Sequence, residues 1–250
     1  MIRPKLEFLS PETVSRAIDE AYELLWDPGV RVHYDEALEL LADAGATVDR
    51  KSRVAKIPRH LAEKAIETAP NEFYLYNFDG EPAIHYGGDD VHFDPGSAAI
   101  EIADYGANES RIPVTADCEN YVRVAEMLPQ IGAVATSIVC GDVPQNMADW
   151  YRLYLLLLYS RKPIVTGTFA IETFSIMHQL LATVAGSADA LAEKPRAVFD
   201  VCPSPPLLWS DITCANLIDA ARTGTPAELV SMPLMGATGP ATVIGSAVQH

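Results

Sequence analysis

The chain has 250 residues, 49% hydrophobic and 21% charged, which is enough to bury roughly 70% of its unfolded surface and too apolar for a disordered segment. Eighteen Lys and Arg stand against 34 Asp and Glu. The formal charge of -16 argues against a nucleic acid or an anionic membrane as partner, and it is compatible with a cationic ligand.

The amino terminus, MIRPKLEFLS, lacks an apolar signal core, and the longest apolar run, LYLLLLY (153–159), is too short to span a bilayer. A cytoplasmic protein is expected. Cys118, Cys140, Cys202 and Cys214 form no C-x-x-C pair and read as buried thiols of a reducing compartment.

In chain order, SPETVSRAIDEAYELLWD (10–27) predicts a helix capped by Ser10 with Pro11 in its first turn. DEALELLADAGA (35–46) predicts a second helix ending at Gly45, and PRHLAEKAIETAP (58–70) a third closing before Pro70. The period then becomes two. EFYLYNF (72–78), PAIHYGG (82–88) and DVHFDPGSAAIEIAD (90–104), with a turn near Asn108, predict hairpins. Residues 1–115 therefore read as a small α+β domain. A helix over 116–128 leads out of it.

From there a unit repeats. Pro129, Pro163, Pro195 and Pro226 recur at spacings of 34, 32 and 31 residues. Each precedes a short apolar run: 131–140, 164–169, 197–202 and 228–234. The runs are β-branched and too short for helices, and proline suits the first residue of a strand. Helical patterns at 147–161 and 173–186 lie between them. Strands buried on both faces and joined by helices pair in parallel. The expected class is α/β: residues 116–250 form the first four βα units, half of a (β/α)8 TIM barrel, behind the α+β domain. Half a barrel leaves open edges. Either the chain is a piece of a longer protein, which is the leading expectation, or copies assemble into a homo-oligomer.

The segments 29–70, RIPVTADCENYVRVAEMLPQI (111–131), GDVPQN (141–146), RKPIVTG (161–167), CPSPPL (202–207) and PLMGATGPATVIGSAVQ (233–249) resemble, in order, the trimethylamine methyltransferase family. This chain is similar to the amino-terminal half of those longer proteins. The resemblance implies a corrinoid-dependent enzyme that moves a methyl group from a methylated amine, such as trimethylamine or glycine betaine, to the cobalt of a separate corrinoid protein. Cobalamin is then presented by that partner and not bound tightly by this chain. Some members of that family use trimethylamine and contain pyrrolysine, at a position beyond the segments matched here, and many others lack it and act on quaternary amines such as glycine betaine. The alternative is a non-catalytic binding or assembly subunit that keeps the front half of the barrel, and a barrel enzyme of unrelated chemistry is a third possibility.

A quaternary ammonium offers no N–H, so aromatic faces and carboxylates are its suitable partners. Barrel sites gather at the carboxyl ends of strands. The first strand end offers Asp142, as countercharge or as cap of the following helix. The second offers Thr168 and Phe169, the ring serving as a cage wall or packing under a helix. The third offers Asp200, which needs a partner or a cation if it points inward, and Ser204 in a proline-stiffened loop. The fourth leads into Met235, Gly236 and Thr238, where unbonded backbone N–H groups would hold a betaine carboxylate, against a plain tight turn. No metal site is expected, because His85 and His92 flank a surface turn with Asp89, Asp90 and Asp94 nearby. Trp150, Tyr151, Tyr154 and Leu158 read as the face of a helix packed on the barrel, and His178 as a partly buried surface residue.

Overall fold

The computed structural model describes residues 7–250, and they divide into two compact units. The first comprises the described residues up to Ala69 together with Cys202–Cys214 and Val230–His250; the second comprises Pro70–Val201 and Ala215–Leu229. The boundary expected at 115/116 falls inside the second unit.

In the first unit the helix Pro11–Trp26 begins as its sequence predicts, with Ser10 Oγ accepting from the Thr13 amide at 3.2 Å and Pro11 at the first helical position. Ser10→Ala should cost about 1 kcal/mol, read as a lower urea midpoint for this unit, because that amide then has only water as partner. Helix Asp35–Ala44 stops at Gly45, whose φ of 110° is open to glycine at little cost. Helix Arg59–Thr68 is the third.

Beside them lies a sheet that periodicity does not reveal, ordered Leu208–Trp209, Val30–Val32, Val54–Lys56, Thr47–Asp49. Val30–Val32 pairs antiparallel with Val54–Lys56 and parallel with Leu208–Trp209. None of these strands exceeds three residues. A run that short completes no more than one alternation.

The second unit holds the parallel sheet. Its strands, Val134–Ala135, Ile164–Thr166, Ala197–Val201 and Ala227–Leu229, lie side by side in chain order. Sequential parallel strands linked by helices are what the repeated proline-led unit requires. The connecting helices are Ala148–Tyr159, Thr173–Ala185, Ala188–Glu193 and Asp211–Thr223.

Alternation assigns the two faces. Val134, Ile164, Ala197 and Phe199 pack with Leu153, Leu156, Phe174, Met177 and Leu181 of the helices. Ala133, Ala135, Val165 and Val198 pack with Leu75 and Ile84 of the hairpin Phe73–Tyr76 and Pro82–Tyr86. Both faces are thus removed from water, which explains why the strands carry no polar alternation.

Several expectations need correction. The run 90–104 is not a continuous strand: Ile102–Ala103 pairs with Ser110–Arg111, and Ala99 makes one bridge to Ile138. Asp94 Oδ1 accepts from the Gly96 amide at 2.8 Å, and that local turn around Pro95 replaces ladder pairing. The run 131–140 is regular only at Val134–Ala135, and 228–234 leaves the sheet after Leu229. Cys118, Cys140 and Cys214 are buried, whereas Cys202, one residue past its strand, is exposed. On helix Ala148–Tyr159 the buried residues include Arg152, Leu153, Leu155 and Leu156, while Tyr154 and Leu158 face solvent. Among the described residues no helix is long and apolar enough to cross a membrane.

Candidate functional site

The third and fourth parallel strands pair with Asp200 directly opposite Glu228. Asp200 lies two residues beyond Val198, so its side chain shares the face covered by the hairpin. Tyr86, at the end of that hairpin, stacks on Phe73 with ring centroids 4.7 Å apart and planes 7° from parallel. Tyr86 and Asp200 both hydrogen-bond Glu228, and the charge of Asp94 acts on both.

Electrostatics follow from that crowding. Burial, then the hydrogen bond to Glu228 and the charges of Glu228 and Asp94, push the Asp200 carboxyl up to about 8. Burial and the Glu228 charge also raise the Tyr86 phenol. At neutral pH Asp200 is therefore protonated. Its Oδ1 is buried and has no hydrogen-bond partner among the described residues. A cation placed here would relieve the repulsion among Asp94, Asp200 and Glu228 and allow Asp200 to ionise.

The loop after the second strand is held from two sides. Asn216, on helix Asp211–Thr223, donates to Thr168 Oγ1. Asp149 Oδ2, on helix Ala148–Tyr159, accepts from the Phe169 amide at 2.7 Å and from Thr173 Oγ1 at 2.6 Å. Arg152 donates to the Thr136 carbonyl at 2.6 Å and lies over the Phe169 ring at 4.4 Å. One face of Phe169 is thus covered by a guanidinium. Its role as a cage wall is limited to the other face and the edge.

Asp142 is engaged elsewhere. Its Oδ1 accepts from the amide and hydroxyl of Thr115 at 2.9 and 3.1 Å, so it serves the start of helix Thr115–Met127 and not the helix that follows it in sequence. That helix begins after Val114, which has no side-chain acceptor.

Asp142, Thr168, Phe169 and Asp200 belong to the second unit, while Ser204, Met235, Gly236 and Thr238 belong to the first. Ser204 exchanges two backbone hydrogen bonds with Leu208, at 2.8 and 3.0 Å, which tie off the proline loop. The amides of Ala237, Thr238 and Gly239 all donate to the Leu234 carbonyl, and that of Gly236 donates to Gly239 and Pro240. Thr238 Oγ1 accepts from the Leu234 amide at 3.0 Å. Of the two readings of this segment, anion cradle and plain tight turn, these hydrogen bonds fit the turn. A tight turn with φ of 78° at Gly236 consumes the N–H groups that a carboxylate would need.

Tyr86, Glu228, Asp149, Arg152 and Asn216 were not legible as site residues. Glu228 was visible only as the first residue of an apolar run, and Tyr86 only as part of a hairpin. Cross-strand register and helix packing bring them to their partners. Among the described residues no group of three or more His, Cys, Asp and Glu is arranged to hold a metal ion; His85 bonds Asp90 at 2.8 Å and Glu72 at 3.3 Å.

The family model described as trimethylamine methyltransferase matches residues 2–250. The chain is 30% identical over 228 residues to a trimethylamine methyltransferase MttB of Desulfitobacterium hafniense, covering 91% of this chain and 46% of that protein. It is 26% identical over 245 residues to a glycine betaine methyltransferase of another strain of that species, covering 97% and 50%. It is 25% identical over 233 residues to a trimethylamine methyltransferase MttB of Methanosarcina barkeri, covering 91% and 47%. The chain spans about half the length of these relatives. A match across nearly every residue places the chain in the trimethylamine methyltransferase family.

Proposed function

We propose that this chain is the amine-binding, amino-terminal half of a methyltransferase that moves a methyl group from a tertiary or quaternary methylated amine to the cobalt(I) of a partner corrinoid protein. The observation that carries the reading is the family match over residues 2–250. The sequential four-stranded parallel sheet supports placing these units in the first half of a (β/α)8 barrel. Matched relatives about twice as long support a second half elsewhere in the protein.

From a quaternary ammonium, or from a tertiary amine in its protonated form, transfer of the methyl group to the partner's cobalt(I) would release a neutral amine, so no further proton need reach the leaving nitrogen. What this chain supplies is position, countercharge and exclusion of water. Glu228 holds the ammonium by charge, and Asp200 adds a second charge once the bound cation has favoured release of its proton to water. The phenol of Tyr86, bonded to Glu228, orients that carboxylate. Val165 and Val198, with Leu75 and Ile84, keep the floor beneath them dry. A cytoplasmic protein and a cobalamin carried wholly by the partner complete the proposal.

Expressed from its whole reading frame and incubated with a cobalt(I) corrinoid protein, the enzyme should give the absorbance change of corrinoid methylation with at least one of trimethylamine, glycine betaine or tetramethylammonium. Failure with every amine of such a panel would overturn the reading.

A further inference from the structure

We propose that the exposed face of helix Pro11–Trp26 docks an amphipathic helix of a partner protein, one whose apolar stripe is bordered by lysine or arginine. The surface lies wholly within the first unit and takes no part in holding the amine.

The helix packs against Arg59–Thr68 and Val243–Gln249, with Ala17, Ala21 and Leu24 half-buried and no residue fully buried. A second stripe is left over. Val14, Ile18, Tyr22 and Trp26 recur at every fourth position, and Val14, Ile18 and Trp26 are 43%, 49% and 47% exposed. Single apolar residues on a surface need no explanation, but a row of them on one helix marks an interaction face. A concavity lies at each end. One of about 700 Å³ is lined by Phe8, Leu9, Val14 and Ile18, and one of about 710 Å³ by Tyr22, Trp26 and Pro58. Val14 and Trp26 stand about 18 Å apart along the axis, a span that residues i, i+4, i+7 and i+11 of a second helix match with one face.

Charge decides what that second helix carries. Glu12, Asp19 and Glu23, at spacings of seven and four, run beside the stripe. Asp19 pairs with Arg59 at 2.6 Å, whereas Glu12 and Glu23 form no ion pair among the described residues. Arg16 is the one basic residue of the helix, and it pairs with Glu20 at 3.7 Å. A second copy of this helix would therefore bring carboxylates towards carboxylates. An anionic bilayer would meet the same repulsion. A helix with basic flanks meets complementary charge.

The probe is a fluorescein-labelled peptide of about 18 residues with leucine at i, i+4, i+7 and i+11, lysine on both sides of that stripe and alanine elsewhere. One control has the same composition with the leucines scattered, and another carries glutamate for every lysine. With protein expressed from its whole reading frame, and no corrinoid or amine present, fluorescence anisotropy should give a dissociation constant of about 10–100 μM for the striped lysine peptide. Both controls should bind at least about tenfold more weakly. Ile18→Ser should weaken the striped peptide about tenfold, and Glu12→Gln with Glu23→Gln about threefold. These side chains lie at the surface, so circular dichroism should show the native fold in both variants. Equal binding of the scattered peptide, or unchanged affinity in either variant, overturns the proposal. So does an absence of binding, which assigns the stripe to another part of the same protein or to a second copy. Binding to phosphatidylcholine vesicles that Ile18→Ser abolishes assigns it to a membrane and overturns the proposal as well.

Discussion

Replacing Arg152 with methionine is expected to destabilise the second unit by about 3–5 kcal/mol, a large share of the roughly 5–15 kcal/mol that holds a typical domain together. Arg152 is 1% exposed, and burial lowers its affinity for its proton while the charge of Asp149 opposes that fall. The guanidinium pairs with Asp149, donates to the Thr136 and Ala148 carbonyls and lies over Phe169. Methionine can fill much of the volume. It leaves the buried Asp149 carboxylate without a countercharge and the Thr136 carbonyl without its donor. Arg152→Lys should fall between the two, since a point charge on a flexible stem cannot satisfy three directions at once. Urea unfolding followed by circular dichroism reads both variants, and a loss below about 1 kcal/mol for Arg152→Met would contradict the network described.

Asp200→Asn is expected to flatten the protein's response to pH and weaken its hold on a methylated ammonium. The Asp200 carboxyl keeps its proton up to about pH 8 in the native state, whereas an unfolded chain loses it near pH 4. Native protein thus binds more protons than unfolded protein across that window. The contribution of this group to stability is full below about pH 4 and is lost progressively as pH rises to about 8. Because Asp200 retains some contact with solvent, screening reduces the loss to about 1–3 kcal/mol. Urea midpoints should fall from pH 5 to pH 8 in the native sequence and fall less in Asp200→Asn.

Ligand binding should run the other way. Ionised Asp200 attracts a cation that protonated Asp200 does not, so the affinity for tetramethylammonium should rise as pH passes through about 8. Asp200→Asn should bind it about tenfold more weakly at pH 9 and show no such rise. A binding curve with the same pH dependence in both proteins would remove Asp200 from the site.

Much of the architecture is legible in the linear order of residues. The proline-led repeat identifies four parallel strands because strand and helix periods are local properties of the chain. The caps at Ser10 and Gly45 are equally local, since each is decided within one helical turn. The ordered resemblance extends this to the family, which the match over residues 2–250 establishes.

Long-range pairing had to come from the tertiary structure. Leu208–Trp209 joins a sheet with Val30–Val32 although residues 33–207 separate them, and strands of two and three residues announce no partner. The register of two adjacent strands sets Asp200 opposite Glu228, and the hairpin delivers Tyr86 to Glu228. Asp142 reads as a cap for the helix after it but caps the start of the helix before it. The glycine-rich turn at 236–239 reads as either an anion cradle or a plain tight turn until the amides of Ala237, Thr238 and Gly239 are seen to share the Leu234 carbonyl. Residue types and their periods determine which elements form, because those energies are paid within a few residues. Which side chains meet is decided by register and packing between distant segments, and that depends on the whole folded chain.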